Sequence, residues 1–380
     1  MPAAHKTTCV IKPQRTILVF QGGGAVGAYQ LGVYGALCKE GRQPDWVVGT
    51  SIGAINGAII AGNPPERRLE RLQAFWETMS LTGEENSWAS PFVAPFVAPG
   101  ESMSAILSSM HLMTQGLPGF FQPKLFSSFA LGTNVPPEEA AYYDVSPLRD
   151  TLLDLVDFDY LATSPVRLSV GATDVQTASI KYFDSATTRL GPEHIMASGA
   201  LPPAFPPVLI DGRYYWDGGL YSNTPLDWIL HQPRDHSLCI FATLWPIDDS
   251  VPTSSGDVMR REKEIRFASR AESVIEMEQE IHKLRHAVNL MAHELGDKVT
   301  DLPIKEMFNL GCGSVFHVLH LQAPRLPGEG AYKDIEFVAD RIHERADAGF
   351  RDMMRAFEEK PWTQKVKPMQ GIVVHNYSGQ

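Results

Sequence analysis

The sequence predicts an α/β fold built on a mostly parallel sheet. Three observations carry that expectation. Residues 16–21 (TILVFQ) and 46–50 (WVVGT) are short, β-rich apolar runs, as strands buried on both faces require. Each run ends in small residues, GGG after the first and GTSIG across the end of the second. A helical pattern follows each one, and strand–helix–strand–helix at this spacing is the order of parallel strands joined by crossover helices.

The elements follow in order. Residues 25–40 form a helix with Val26, Tyr29, Val33 and Leu37 on one face, and 51–61, rich in Ala and Ile, form a second. The character changes over 86–123, where SWASPFVAPFVAPGES repeats PFVA from Pro91 and Pro95. Proline at that density excludes a regular helix or a central strand. A short amphipathic helix bearing Met103, Ile106, Leu107 and Met110 comes next, then GLPGFF. Two readings stand for 86–123: a loop packed on the core, or a lid or lipid-facing rim exposing Phe92, Phe96, Phe120 and Phe121. The α/β pattern resumes at 166–175 and 179–183, passes through MASGALPPAFPPV (196–208) and RYYWDGGLYSNTPL (213–226), and reaches a buried strand at 238–245.

A charged linker, 247–257, precedes one long helix over 259–295. Its Val274, Met277, Ile281, Leu284, Val288, Met291 and Leu295 recur at spacings of three and four, with Gly296 at the expected C′ position. That stripe either packs on its own domain, the favoured reading, or pairs with a second copy through residues 274–295. A strand over 314–322 and an amphipathic helix over 334–359 complete the pattern. The expected organisation is a tail (1–15), a first unit (16–246), a largely helical C-terminal extension (258–360) and a tail (361–380).

With 44% apolar residues among 380, the chain can bury a sizeable core. A net charge of −11 argues against nucleic acid as a partner. Cys9, Cys38, Cys239 and Cys312 form no CxxC pair and no metal-ligand spacing, which fits a reducing compartment with no metal and no cofactor. MPAAHKTTCVIKPQR lacks the apolar segment of a secretory signal, and the longest weakly polar run, 47–62, is too short to span a bilayer. The expectation is a cytoplasmic protein whose membrane contact, if any, is peripheral.

FQGGGAVGAYQLG follows a strand and opens a helix, and Gly22, Gly24 and Gly27 satisfy the dinucleotide pattern GxGxxG. A dinucleotide site also needs an acid at the C-terminal end of the second strand. Asp45 lies at the other end, and the C-terminal end delivers GTSIG instead. Glycines and a serine therefore emerge on the same sheet edge. Backbone N–H groups at a helix start favour developing negative charge, so the loop reads as an oxyanion hole rather than a nucleotide site.

Gly49, Ser51 and Gly53 form a GxSxG elbow between a strand and a helix. On that reading Ser51 is a nucleophile; on the plainer one it is a helix N-cap. A serine hydroxyl needs a proton acceptor. His231, His236, His317 and His320 are topologically open as partners, although none sits in a motif. Asp217, in WDGGL, is the other candidate: it ends a strand-like run beside two glycines, and partial burial would raise its basicity.

GGGAVG, GTSIG, ASGALPPAFPPV and YYWDGGLYSNTP, in that order over about 16–245, resemble the patatin-like phospholipases. The resemblance implies a three-layer α/β/α fold and a Ser–Asp dyad without histidine, with Ser51 as nucleophile and Asp217 as base. It implies an oxyanion hole at Gly22, Gly23 and Gly24, and supporting roles for Gly27, Gly49, Gly53, Asp174, Gly218, Gly219 and Asn223. It further implies hydrolysis of fatty-acyl esters of lipids. One departure is Val26, which stands where many members carry Arg or Lys and makes a neutral ester a better expectation than an anionic phospholipid. Two alternatives stay open: acyl transfer at the same site, and a non-catalytic scaffold acting through the heptad helix.

Overall fold

The computed structural model describes residues 12–81, 103–124, 134–230, 235–247, 251–367 and 369–378. The first strand, β1 (Arg15–Phe20), runs into a short 3-10 turn, Gly24–Gly27, and helix α1 (Ala28–Lys39). Next come β2 (Trp46–Thr50), α2 (Ile52–Ala61) and α3 (Pro65–Thr78). Helix α4 (Met103–Gln115) leads to a small hairpin of β3 (Gln122–Pro123) and β4 (Tyr143–Asp144). Helices α5 (Ser146–Leu155) and α6 (Phe158–Leu161) precede β5 (Arg167–Asp174) and β6 (Ser179–Asp184). Helix α7 (Pro192–Ser198), β7 (Val208–Ile210), β8 (Arg213–Asp217), α8 (Leu226–Leu230) and β9 (Ser237–Thr243) follow. The chain closes with α9 (Ser255–Leu295), α10 (Leu302–Phe308), β10 (Phe316–Gln322), α11 (Ala339–Glu359) and β11 (Ile372–Ser378).

Among the described residues the central sheet has nine strands in the order β11-β10-β9-β1-β2-β5-β8-β7, with β6 also paired to β5. From β11 to β5 every pairing is parallel, while β6, β7 and β8 enter antiparallel. Alternation of side chains along each strand divides the core in two. Leu18, Phe20, Val47 and Ile240 face the side carrying α1, α2 and α11. Ile17, Val19, Val48 and Phe241 face the side carrying α8 and α9. Helices thus cover both faces, as a parallel sheet requires, and the three-layer expectation holds.

Residues 361–380, expected as a tail, contain β11, which extends the sheet beside β10. The sheet likewise joins the two expected units, because β10 pairs with β9. An apolar run of seven residues gave no sign of which sheet it would join; register with β9 supplies that. Helix α11 also locks onto α1. A Cβ on Gly32 would collide with the Ala346 carbonyl, and one on Gly349 with the Tyr29 carbonyl. Tyr29 donates across the crossing to Asp352 at 2.8 Å.

Helix α9 lies on its own domain, and only part of its heptad stripe joins the contact: Val274 packs on the core and Ile281 and Val288 are half-buried. Its inward face carries Arg260, Glu264, Ala268, Ile275, Glu278 and His282, while Met277, Leu284 and Met291 stand 53%, 67% and 48% exposed. Gly296 does not cap it in a left-handed conformation, since φ is −53° and the chain continues into a 3-10 turn. Phe92 and Phe96 lie outside the described residues. Phe121 is buried, only 7% exposed, and Phe120 packs against it, so neither forms an exposed rim.

Gly32→Ala should therefore destabilise the protein by about 1–3 kcal/mol, because the α1–α11 crossing leaves no room for a methyl group. A shift in the urea midpoint at constant slope measures this; an unchanged midpoint would mean that the helices can separate freely.

Candidate active site

The register of β5 brings the site together. Strand β2 pairs with its first part, Trp46 opposite Arg167 through Thr50 opposite Gly171. Strand β8 pairs antiparallel with the remainder, Asp217 opposite Ala172 through Tyr215 opposite Asp174. Strand β6 runs along β5 from Ser169 to Asp174, so β2 and β8 share the other edge. They approach one another end to end. Thr50 ends β2 and Asp217 ends β8, on adjacent rungs. Ser51 follows Thr50 directly, and its hydroxyl is within hydrogen-bonding reach of the Asp217 carboxylate.

Ser51 turns the chain sharply out of the sheet, with φ 56° and ψ −124°. A non-glycine residue in that region costs about 1–3 kcal/mol. The surroundings hold it there. The Ser51 N–H donates to Ser198 Oγ at 3.1 Å, and that hydroxyl donates to the Gly171 carbonyl at 2.6 Å. Gly49 and Gly53 meet back to back across the elbow. A Cβ on Gly49 would strike the Gly53 carbonyl, and one on Gly53 the Phe20 carbonyl of β1. Ser51 makes no side-chain cap on α2, which removes the N-cap reading.

Asp217 is 3% exposed. Burial pushes its pKa up to about 6, against the opposing pull of the Gly219 N–H and the Ser51 hydroxyl. The Gly219 N–H reaches Asp217 Oδ1 at 2.7 Å, and Thr173 Oγ1 donates to the Asp217 carbonyl at 2.9 Å. Gly218 presses close to the Gly171 carbonyl.

The glycine loop faces this pair, and one expected detail changes. The Gly22 N–H donates to Asn223 Oδ1 at 3.1 Å, while Asn223 Nδ2 donates back to the Gly22 carbonyl at 2.9 Å. Gly22 therefore spends its N–H on a clamp rather than on a ligand. Gly23 and Gly24 stand at the start of the 3-10 turn, where N–H groups lack helical partners. Gly24 has φ +54°, and the Asp334 carbonyl occupies the space of a side chain. Gly27 brings the first turn of α1 against Ile52, with only 2.7 Å for a Cβ. Trp245 Nε1 donates to the Gly22 carbonyl at 2.9 Å and Gln21 Nε2 to the Phe267 carbonyl at 3.2 Å.

Asp174 sits at the end of β5, away from the pair. It accepts from the N–H groups of Gln176 and Thr177 at 2.9 and 3.0 Å and from Arg213 at 2.8 Å. It thereby shapes the turn after β5 and steadies the start of β8. Asp45 accepts from the Thr16 N–H at 2.7 Å, at the far end of the sheet from the glycines. His236 accepts from the Val315 N–H, and His317 and His320 pair with His375 and Thr243. Among the described residues no histidine lines the cavity over Ser51. His231 lies outside the described residues.

That cavity has a volume of about 450 Å³. Its wall is mostly apolar, from Leu112, Phe120, Phe121, Phe205, Trp245 and Phe337 among others. Phe120, Phe121, Tyr143 and Phe205 form one aromatic cluster. Phe267 and Ile335 come from the C-terminal region. Sequence reasoning missed Ser198, Gln21, Trp245 and the C-terminal wall. Ser198 was visible only as part of ASGALPPAFPPV; the others carry no local signal.

A model of the family described as patatin-like phospholipase matches residues 18–228. A second, described as patatin phospholipase, matches residues 265–369. Patatin-like phospholipase domain-containing protein 7 of Rattus norvegicus is 26% identical over 211 residues, covering 55% of this chain and 12% of that protein. The chain thus spans about an eighth of that relative's length. Patatin-like phospholipase domain-containing protein ZK370.4 of Caenorhabditis elegans is 46% identical over 59 residues, 16% of this chain and 4% of that protein. Among solved structures, VipD from Legionella pneumophila aligns over 91% of this chain and 67% of its own, with 13% identity and a TM-score of 0.40.

Because burial raises Asp217 from 3.8 to about 6, the folded state favours its protonated form. That contribution to stability is present below the unfolded pKa and is lost as pH rises through 6. Asp217→Asn should therefore stabilise the protein at pH 8 by on the order of 2–3 kcal/mol and leave it unchanged near pH 3. Thermal melts of both proteins across that pH range check the prediction.

Proposed function

The chain belongs to the patatin-like phospholipase family, and on that premise we propose that it is a serine acyl hydrolase acting on fatty-acyl esters of lipids. The observation that carries the proposal is the Ser51 hydroxyl set against a buried carboxylate of raised pKa, on the floor of an apolar cavity. In this reading Asp217 takes the Ser51 proton as Oγ attacks the ester carbonyl. The oxyanion forms against the Gly23 and Gly24 N–H groups, at a helix start that favours negative charge. The tetrahedral species collapses, and the alcohol leaves with the proton from Asp217. Asp217 then takes a proton from water, hydroxide attacks the acyl-enzyme, and the fatty acid departs as Ser51 regains its proton.

Burial suits Asp217 to this task. A carboxylate near its ordinary value of 3.8 is a poor acceptor, whereas one near 6 is better matched to neutral pH. The aromatic wall fits an acyl chain, and the C-terminal region, which supplies Phe267 and Ile335 to that wall, belongs to the same site.

With a medium-chain nitrophenyl ester, Ser51→Ala and Asp217→Asn should each lose about 10³-fold or more in kcat, by precedent with serine hydrolases. Circular dichroism checks folding. The wild-type rate should rise with pH through about 6 as Asp217 ionises. Activity retained by Asp217→Asn would send the search for the base elsewhere.

Asn223→Ala removes the clamp on Gly22 and should lower kcat about 10- to 100-fold while moving KM little, since the loop it positions acts in the transition state. A change confined to KM would place Asn223 in substrate binding instead.

A further inference from the structure

Among the described residues, the cavity over Ser51 has no cationic side chain on its wall. Its charged lining residues are both carboxylates, Asp217 and Asp334. Lysines stand beside the wall, but each is already engaged. Lys263 Nζ lies 2.9 and 3.1 Å from the two Asp334 oxygens and 3.0 Å from the Ala331 carbonyl. Lys333, 5.2 Å from the Trp245 ring centroid, is 3% exposed and lies 2.8 Å from Glu264 Oε1. The Lys124 backbone is tied to Tyr142 at the wall, and its Nζ turns to the Glu138 carbonyl at 3.1 Å. Asp144 is also near enough for Lys124 to lower its pKa.

The sequence deepens this bias. The stretches that bring Leu112, Met113, Phe120 and Phe121, and then Tyr142 and Tyr143, to the wall contain no Lys or Arg from 72 to 123 or from 125 to 148. The described part next to Tyr142 and Tyr143 does contain Glu138, Glu139 and Asp144.

An anionic group entering this cavity would lose water without gaining a counter-charge. It would also sit near Asp217 and oppose the ionised form that the reaction needs, through like-charge repulsion in a poorly solvated space. We infer that the site takes fatty-acyl esters whose polar end is an uncharged alcohol, such as acylglycerols, and discriminates against esters carrying an anionic headgroup close to the scissile bond. The inference rests on the acyl-hydrolase reading above. The selection works by omission: among the described residues, this apolar cavity carries no cationic side chain on its wall to pair with phosphate.

The test compares kcat/KM for a monoacylglycerol and an acylglycerol phosphate with the same acyl chain, both in an uncharged detergent at pH 8, with the nitrophenyl ester as a common reference. The neutral ester should be preferred at least tenfold. Met113→Lys, at a wall position 48% exposed on α4, should narrow that ratio severalfold by placing a cation at the mouth. Equal or better turnover of the anionic ester, in an enzyme that cleaves the nitrophenyl ester, would overturn this inference alone. Inactivity on all three would overturn the hydrolase reading and this inference with it.

Discussion

Two strands that meet end to end on one edge of a third set the geometry on which the site depends. Strand β2 rises along β5 and stops at Thr50; β8 descends along the same edge and stops at Asp217. Neither strand can continue without running into the other. Each chain must therefore leave the sheet where they meet, Ser51 through a left-handed backbone turn into α2 and Asp217 through the 3-10 turn at Gly218–Leu220. The hydroxyl and the carboxylate become neighbours because hydrogen-bond register places their strand ends on adjacent rungs. Gly218 lets the end of β8 lie against the Gly171 carbonyl, and Gly49 and Gly53 let the elbow at Ser51 close on itself and on β1.

This arrangement is costly to the fold. Ser51 holds a strained backbone, and Asp217 holds a charge at neutral pH in a buried place, where the Gly219 N–H and the Ser51 hydroxyl rather than a cation favour it. Other contacts compensate. Ser198 bridges the Ser51 N–H to the Gly171 carbonyl, and Asn223 binds Gly22 on both sides of its peptide. The latter pair joins residues 201 positions apart and ties the glycine loop to the turn that carries Asp217. A structure that tolerates local strain because its surroundings over-determine it is what a reactive site requires.

The C-terminal region is part of this scheme. Strands β10 and β11 extend the sheet, α11 crosses α1 at glycine distance, and the Asp334 carbonyl fills the space beside Gly24. Trp245 stacks on Phe267 and holds the Gly22 carbonyl. Glycine loop, aromatic wall and C-terminal helices are mechanically joined.

The sequence by itself determined a great deal. Apolar runs with the right punctuation marked β1, β2 and α2 within a residue and α1 within three, its first turn being 3-10, since buried parallel strands and their crossover helices leave strong local patterns. GTSIG and WDGGL marked the strand ends at Ser51 and Asp217, because a sharp turn out of a strand needs glycine at particular places. Only the tertiary structure decided the rest. That Gly22 spends its N–H on Asn223 depends on a contact across 201 residues. That 372–378 form a strand of the main sheet depends on pairing with β10. That α9 turns Glu264 and His282 inward while Met277, Leu284 and Met291 of its stripe face outward departs from the simple rule, because Arg260 and Lys333 pair with Glu264 inside, while His282 packs edge-on against Phe316. Local pattern reports what a segment prefers; which partner satisfies each buried polar group is settled by chain crossings that no segment records.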